Sequence, residues 1–258
     1  MNFNELVQKS EMLAEDIYSL RIRSERIAQE ALPGQFVNVR CSNGLDAYLR
    51  RPISICRVDP SNNTYDIVFM KKGKGTNYLC CFTEGDFIDV MGPLGNGFTL
   101  PEKNEKVAVV GGGIGIFPLL FLLEMCNASK KTAFLGFQTA ESIVLKKDFE
   151  KACTELIIST DDGSLGFKGF ITEPFIKWLK SEKPDRVYTC GPLPMMNIVA
   201  ESCLSQGIFC QVSMEQRMGC GIGACLVCAC KVKLNDDYDY AHVCKDGPVF
   251  PAQRLIFD

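Results

Sequence analysis

Four cysteines near the C-terminus have a spacing that could hold a redox centre. Cys220, Cys225 and Cys228 read C-x4-C-x2-C, and Cys244 follows after fifteen intervening residues. This is the plant-type spacing for a [2Fe–2S] cluster held by four thiolates. A rhombic cluster carries negative charge on its sulfurs, so the loop around it must approach closely and aim amide N–H groups inward. Gly219, Gly221 and Gly223 remove side chains where that approach is needed and permit positive φ. Zinc is the competing ligand for such a set, but it favours two separated C-x2-C knuckles. Here three cysteines share one glycine-rich loop and one stands apart. Cys230, two residues past Cys228, falls outside the pattern. The other cysteines, scattered from Cys41 to Cys210, read by default as buried small hydrophobes.

A second chemical signal lies upstream. The apolar run Val107–Val110 leads into Gly111-Gly-Gly-Ile-Gly-Ile-Phe-Pro118. A strand, a glycine turn and a helix N-terminus together favour a pyrophosphate, through close backbone approach and the helix dipole. The match to G-x-G-x-x-G is incomplete because position 116 is Ile, and no clear acidic residue closes the next strand. Farther on, Cys190-Gly-Pro-Leu-Pro-Met-Met196 follows another strand-like run, Arg186–Thr189. Ligands of open α/β sheets sit at the carboxyl ends of strands, so Gly111 and Cys190 are expected to face one crevice.

Composition narrows the setting. The 258 residues are 47% hydrophobic and 23% charged, ordinary globular values. A net charge of −3 disfavours nucleic acid, which selects a basic stripe. A single histidine, His242, leaves little room for His-based metal sites or His-dependent acid–base chemistry. Met1–Ser10 lacks the basic-then-apolar pattern of a leader, and the apolar stretch Ile114–Met125 contains Glu124 and is too short for a bilayer. The expectation is a cytoplasmic chain without a membrane span, its fourteen cysteines reduced.

Three textures divide the elements that must position these groups. Up to about residue 100, short strand-like runs such as Gln35–Arg40 and Tyr65–Met70 alternate with turn signals at Pro33-Gly34, Asp59-Pro60 and Gly92-Pro93. That pattern reads as an antiparallel barrel or sandwich. From about Asn104, strands near 106–110, 132–137, 155–159 and 186–189 alternate with helical stretches, including 174–180 and 193–205. Such alternation reads as a parallel α/β sheet. From Val212 the chain is rich in cysteine and glycine, and Asp236–Tyr240 reads as a solvated loop.

The barrel-like segment carries Arg51-Pro-Ile-Ser54. With the Gly73-Lys-Gly-Thr76 turn, the G-G-G-I-G turn and C-G-P, it resembles the ferredoxin–NADP reductase superfamily. An arginine in that pattern supplies a bidentate fork for phosphate. Within the superfamily, Pro33-Gly-Gln-Phe-Val37, Arg51–Ile55, Gly92–Phe98, Asp161–Ser164 with Gly169, and the C-terminal cysteine loop are similar to the electron-transfer subunits of type 1B dihydroorotate dehydrogenases. The resemblance implies three units: a FAD-binding β-barrel over 1–102, a Rossmann-like NAD-binding α/β unit over 103–211 and a small [2Fe–2S] unit over 212–258. It implies FAD contacts at Arg51, Pro52, Ile53, Ser54, Val68, Phe69, Met70, Gly75 and Thr76. NAD falls to Gly111, Gly113, Gly115 and Cys190, and the cluster to Cys220, Cys225, Cys228 and Cys244. NAD is preferred to NADP because Gln138-Thr-Ala-Glu141 offers no basic residue for a 2′-phosphate.

The function implied is electron transfer in pyrimidine (UMP) biosynthesis. The partner would be an FMN-containing catalytic subunit, in a heterotetramer of two copies of each chain. No residue of this chain is then expected to act as nucleophile or general base, since the cofactors carry the chemistry. Two other readings stay open: a reductase subunit of a different complex (hydrogenase, sulfide dehydrogenase or a bifurcating NADH/ferredoxin oxidoreductase), and a non-enzymatic zinc or flavin module.

Overall fold

The computed structural model describes residues 3–42, 44–235 and 237–257. The N-terminal third is a closed six-stranded antiparallel barrel. It consists of β1 (Phe3–Ala14), β2 (Ile17–Arg23), helix α1 (Glu25–Glu30), β3 (Phe36–Val39), β4 (Arg51–Asp59), β5 (Thr64–Met70), helix α2 (Lys74–Leu79) and β6 (Phe87–Leu94). The strand order is β1-β2-β5-β4-β3-β6, with β6 pairing back onto β1. Local chemistry sets the corners. Ser24 caps α1 by accepting from the Ile27 amide, and the Asp59 carboxylate accepts from the Ser61 and Asn62 amides to turn β4 into β5. Strand alternation then sorts the side chains. Ile53, Ile55, Tyr65, Ile67 and Phe69 fill the barrel, while Cys56 and Val68 point out of it into a second core.

The second unit is a sheet with helices on both faces. Its elements are β7 (Lys106–Gly112), α3 (Ile116–Met125), β8 (Lys130–Phe137), α4 (Lys146–Ala152), β9 (Glu155–Thr160), β10 (Phe167–Lys168), α5 (Thr172–Ser181), β11 (Arg186–Cys190), α6 (Leu193–Leu204) and β12 (Phe209–Ser213). The order β10-β9-β8-β7-β11-β12 is parallel throughout. The unbroken apolar run in β7 follows from burial on both faces: Ala108 and Val110 enter one core, Val107 and Val109 the other. Helix α3 is apolar all round for a similar reason. Leu119, Leu120, Leu122 and Leu123 pack with the sheet residues, whereas Phe121 belongs to the barrel core. Arg57 of β4 ties the same junction from the side, bonding Glu124 of α3 at 2.8 and 2.9 Å through Nε and Asp148 of α4 at 2.8 Å through Nη2.

Beyond β12 the chain forms the cysteine loop, then β13 (Ala229–Leu234), β14 (Asp237–His242) and β15 (Val249–Pro251). Two features differ from the sequence reading. Asp237–Tyr240 belongs to a β-strand paired with β13 rather than to a solvated loop; Asp236 itself lies outside the described residues. The tyrosines supply β propensity that the aspartates mask, and β14 is exposed from Asp237 to Tyr240 while Cys230, Val232 and Ala241 of the ribbon are buried. In addition, β12 crosses the expected division at residues 211 and 212, and β15 returns to pair with it antiparallel. Cys228, Cys230, Val232, Val243 and Cys244 consequently share one core with Val212, Met196 and Phe250. Met1 and Asn2 lie outside the described residues, and among those described no helix is long and apolar enough to cross a membrane.

Candidate functional site

The cysteine loop runs from Gly219 to Cys228 with little regular structure, which leaves its amides free to turn inward. The Ile222, Ala224 and Cys225 amides donate to the Cys220 sulfur at 3.4, 3.3 and 3.4 Å, and Cys220 N donates to the Cys225 sulfur at 3.4 Å. Gly223 N donates to the Cys244 sulfur at 3.1 Å, and Cys244 N to the Cys228 sulfur at 3.4 Å. These amide–sulfur bonds link the cysteines as Cys220 with Cys225, reciprocally, and Cys228 with Cys244. Among the described residues no three Cys, His, Asp or Glu side chains converge on a single-ion site.

The backbone of the loop depends on glycine at two points. Gly221 has φ +76° and a Cβ there would lie 2.5 Å from Asn38 Nδ2. Gly223 has φ +80° and a Cβ there would lie 2.7 Å from the Lys245 side chain. Burial raises the Cys220 thiol, but the amides of Ile222, Cys225 and Ala224 outweigh it and bring the group down to about 6. Cys244 goes the other way: burial and the neighbouring Cys228 thiol push it up to about 12, against the Gly223 amide. One member of the set is therefore prepared as a thiolate, and the buried member needs a compensating positive centre before it ionises.

Cys225 is exposed, and three apolar side chains beside it are exposed as well: Ile222 (56%), Leu226 (57%) and Val227 (58%). Cys230 takes part in none of these amide–sulfur bonds among the described residues. It is buried on β13 opposite Ala241, with its thiol pushed up to about 11 by burial.

On the barrel, Arg51 opens β4 and its guanidinium lies against Gly75, where any Cβ would stand 2.6–2.8 Å from it. The neighbouring Arg50 is committed elsewhere: it bonds Asp89 Oδ2 at 2.7 Å and the carbonyls of Asp89 and Asn38. Arg51 by contrast pairs with no carboxylate among the described residues, donating only to the Leu49 and Arg50 carbonyls. Pro52 and Ser54 are half-buried on the opposite face of β4 from buried Ile53. Thr76 braces its turn, its hydroxyl accepting from the Lys72 and Gly73 amides at 2.8 and 3.1 Å. Of the neighbouring strand, Val68 packs toward the α/β unit, Phe69 stacks on Tyr18 inside the barrel, and Met70 is exposed at the strand end.

On the sheet, β7 and β11 are adjacent with Gly111 and Cys190 as register partners, so the two turns share one strand-end crevice. The glycines of the first turn divide into two kinds. Gly111 is packed against Ile116 and Leu119, and Gly115 against the Cys190 carbonyl, where a Cβ would stand 2.5 Å away. Gly113 alone of the three has φ +54° and open space where its Cβ would be. Cys190 is the register partner of Ser213, and burial pushes its thiol up to about 12. Such a thiol stays neutral and is a packing or hydrogen-bonding surface rather than a nucleophile.

Sequence reasoning did not find the side chains that join these parts. Asn38 of β3 donates to the Cys220 carbonyl at 3.3 Å, and Asn96 donates to the carbonyls of Lys245 and Asp246 at 3.1 and 3.0 Å. A polar residue inside the apolar run Phe36-Val-Asn-Val39 was the available signal for the first.

Comparison with known proteins bears on the assembled geometry. Residues 215–256 match the profile of the iron–sulfur cluster binding domain of dihydroorotate dehydrogenase B. The chain is 41% identical over 249 residues to the dihydroorotate dehydrogenase B (NAD(+)) electron transfer subunit of Desulforamulus reducens, covering 96% of this chain and 95% of that one. It is 40% identical over 256 residues to the subunit of the same name from Fusobacterium nucleatum, with 96% of each covered. A solved NADH-dependent reduced ferredoxin–NADP oxidoreductase aligns with a TM-score of 0.86 at 30% identity, over 99% of this chain and 91% of that one. A ferredoxin–NADP+ reductase from Neisseria gonorrhoeae, solved with FAD and NADP, aligns at 0.68 and 16% identity over 81% and 92%, a likeness of fold.

Proposed function

The chain belongs to the family of dihydroorotate dehydrogenase B electron-transfer subunits, and from that premise we propose how its own residues perform the transfer. It is a subunit of an NAD-linked oxidoreductase of pyrimidine biosynthesis that uses FAD, an iron–sulfur cluster and NAD, and it works with a catalytic partner subunit. The partner is read here as an FMN protein that oxidises dihydroorotate, in a heterotetramer of two copies of each chain. A reducing compartment, the cytoplasm, suits a chain with fourteen thiols.

The observation that carries this reading is the pairing of four thiols within a shell of inward-turned amides. A single zinc ion draws four ligands to one point. Two irons bridged by sulfide instead take two ligands each, and the amide–sulfur bonds link Cys220 with Cys225 and Cys228 with Cys244. The amides on these sulfurs stabilise the charge that the cluster adds.

FAD, when bound, supplies the exchange between hydride and single-electron chemistry that side chains cannot. Arg51, free of any carboxylate partner among the described residues, holds the flavin pyrophosphate. Gly75 leaves the space for this, and Thr76 fixes the turn. Pro52, Ser54 and Met70 offer side chains to the flavin ring, whereas Ile53, Val68 and Phe69, with side chains committed to the cores, offer only their backbone. Gly113 offers its backbone to the nicotinamide nucleotide, Gly111 and Gly115 allow the turn to pack, and neutral Cys190 lines the crevice. The functional division is a flavin unit over 1–102, a nucleotide unit over 103–211 and a cluster unit over 212–258, the last sharing its core with the second.

The first test is composition. Purified anaerobically, the chain should hold one FAD, and two irons with two sulfides. An iron-free protein carrying zinc would overturn the reading. Arg51→Ala should then weaken FAD binding by roughly 10- to 100-fold, since a hydrogen bond to a charged group is worth about 1.5–3 kcal/mol. Flavin titration of the apoprotein measures this, and an affinity equal to the parent's removes Arg51 from the site.

A further inference from the structure

Two asparagines of the flavin barrel reach into the cysteine-rich unit, one to each ligand-bearing segment. Asn38 Nδ2 donates to the carbonyl of Cys220 at 3.3 Å, on the loop that carries Cys220, Cys225 and Cys228. Asn96 Nδ2 donates to the carbonyls of Lys245 and Asp246, directly after Cys244, and its own amide donates to Gly247 O at 2.6 Å.

Asn38 is the less expected of the two. It is 1% exposed, in the middle of an otherwise apolar strand. Its Oδ1 is buried and has no hydrogen-bond partner among the described residues. Burying an amide in that state is unfavourable, and an apolar residue of the same size would fill β3 at lower cost. Barrel stability therefore does not explain an asparagine at this position, whereas the bond to Cys220 does. The surroundings agree. Gly221 approaches so closely that a Cβ would meet Asn38 Nδ2 at 2.5 Å. On its other side Asn38 is the register partner of Pro52, within the Arg51-Pro-Ile-Ser54 strand, and its carbonyl accepts from Arg50. One residue thus contacts the cysteine loop through its side chain and the flavin strand through its backbone.

We propose that Asn38 is a positioning residue that fixes the Cys220 loop to the flavin strand, so that the barrel sets both the geometry of the cluster and its placement relative to FAD. This rests on the flavin and iron–sulfur reading given above. Among the described residues the side-chain amide makes a single bond, and that bond is the one to the cluster loop.

The test uses the holo chain with Asn38→Leu, which keeps the volume and removes the donor. Iron and FAD should be present at purification, because no thiolate is lost. Release of iron to a chelator should be roughly threefold to tenfold faster, the loosening expected from one lost hydrogen bond. The electron paramagnetic resonance spectrum of the dithionite-reduced protein should shift or broaden. After mixing with NADH, the rate of cluster bleaching divided by the rate of ferricyanide reduction should fall by a similar factor. A purely structural role would lower the melting temperature without moving the spectrum. An unchanged spectrum together with unchanged iron release would overturn the proposal. Should the leucine variant fail to fold, Asn38→Ala, which also removes the donor, carries the same expectations, and the same null result in it is equally decisive. A parent chain without iron would refute the reading of the cysteines themselves and this inference with it.

Discussion

Cys225→Ser yields a protein that keeps its FAD and loses its iron. Iron falls from about two per chain to near zero, because a [2Fe–2S] centre needs all four thiolates and a serine hydroxyl is a far weaker ligand. Cys225 is a clean position for this test. It is exposed, and its sulfur takes part in the Cys220 pair rather than in any hydrophobic core. Loss of metal there cannot be charged to unfolding, as it could at Cys228 or Cys244, both buried in the shared core. Cys230→Ser is the matched control. Its side chain is buried on β13 and lies outside the two sulfur pairs, so the variant should keep its iron and show at most a modest loss of stability. Iron and acid-labile sulfide assays with a visible spectrum decide both. A Cys225→Ser protein with parental iron, or an iron-free Cys230→Ser protein, would mean that the ligand set is wrong.

The cysteine motif stands out in the sequence because its pattern is local. Three ligands sit within nine residues and the glycines between them report the backbone they need. The alternating strands and helices of the second unit were legible for the same reason: Val107–Val110 is apolar at every position, as burial on both faces demands. What sequence could not show arises from contacts across long separations. Pairing of β15 with β12 merges the cysteine unit into the core of the sheet, and nothing in Val249-Phe-Pro251 announces a sheet edge. The glycine turn shows the limit most clearly. Gly111, Gly113 and Gly115 are equivalent as letters, yet two are required by packing against Leu119 and the Cys190 carbonyl and only Gly113 faces open space. Asn38 is a further case, since its polarity was visible but its partner lies 182 positions away.

The isolated chain should oxidise NADH with artificial acceptors and leave dihydroorotate untouched, and adding the catalytic subunit should confer dihydroorotate-dependent NAD+ reduction. The difference is all-or-none because the dihydroorotate site is proposed to lie on the catalytic subunit. The one histidine of this chain, His242, sits at the end of β14, where its backbone amide and ring both face Asp246. Electrons must then pass between subunits, and the exposed cysteine loop is a place for that contact. Cys225 is exposed and is surrounded by Ile222, Leu226 and Val227, each more than half exposed. Apolar side chains grouped around a redox loop mark a contact surface, and leaving them in water would cost the chain solubility and leave the loop open to oxidation. Leu226→Glu places a charge at that contact without touching a ligand. It should preserve iron, FAD and NADH oxidation while weakening assembly by tenfold or more, about 1.4 kcal/mol, because an unpaired charge must be desolvated on docking. Gel filtration with the catalytic subunit and the coupled assay measure the two effects. Dihydroorotate turnover by the chain alone would refute the division of labour, and a stable complex in which residues 219–228 stay open to hydrogen exchange would refute the docking surface.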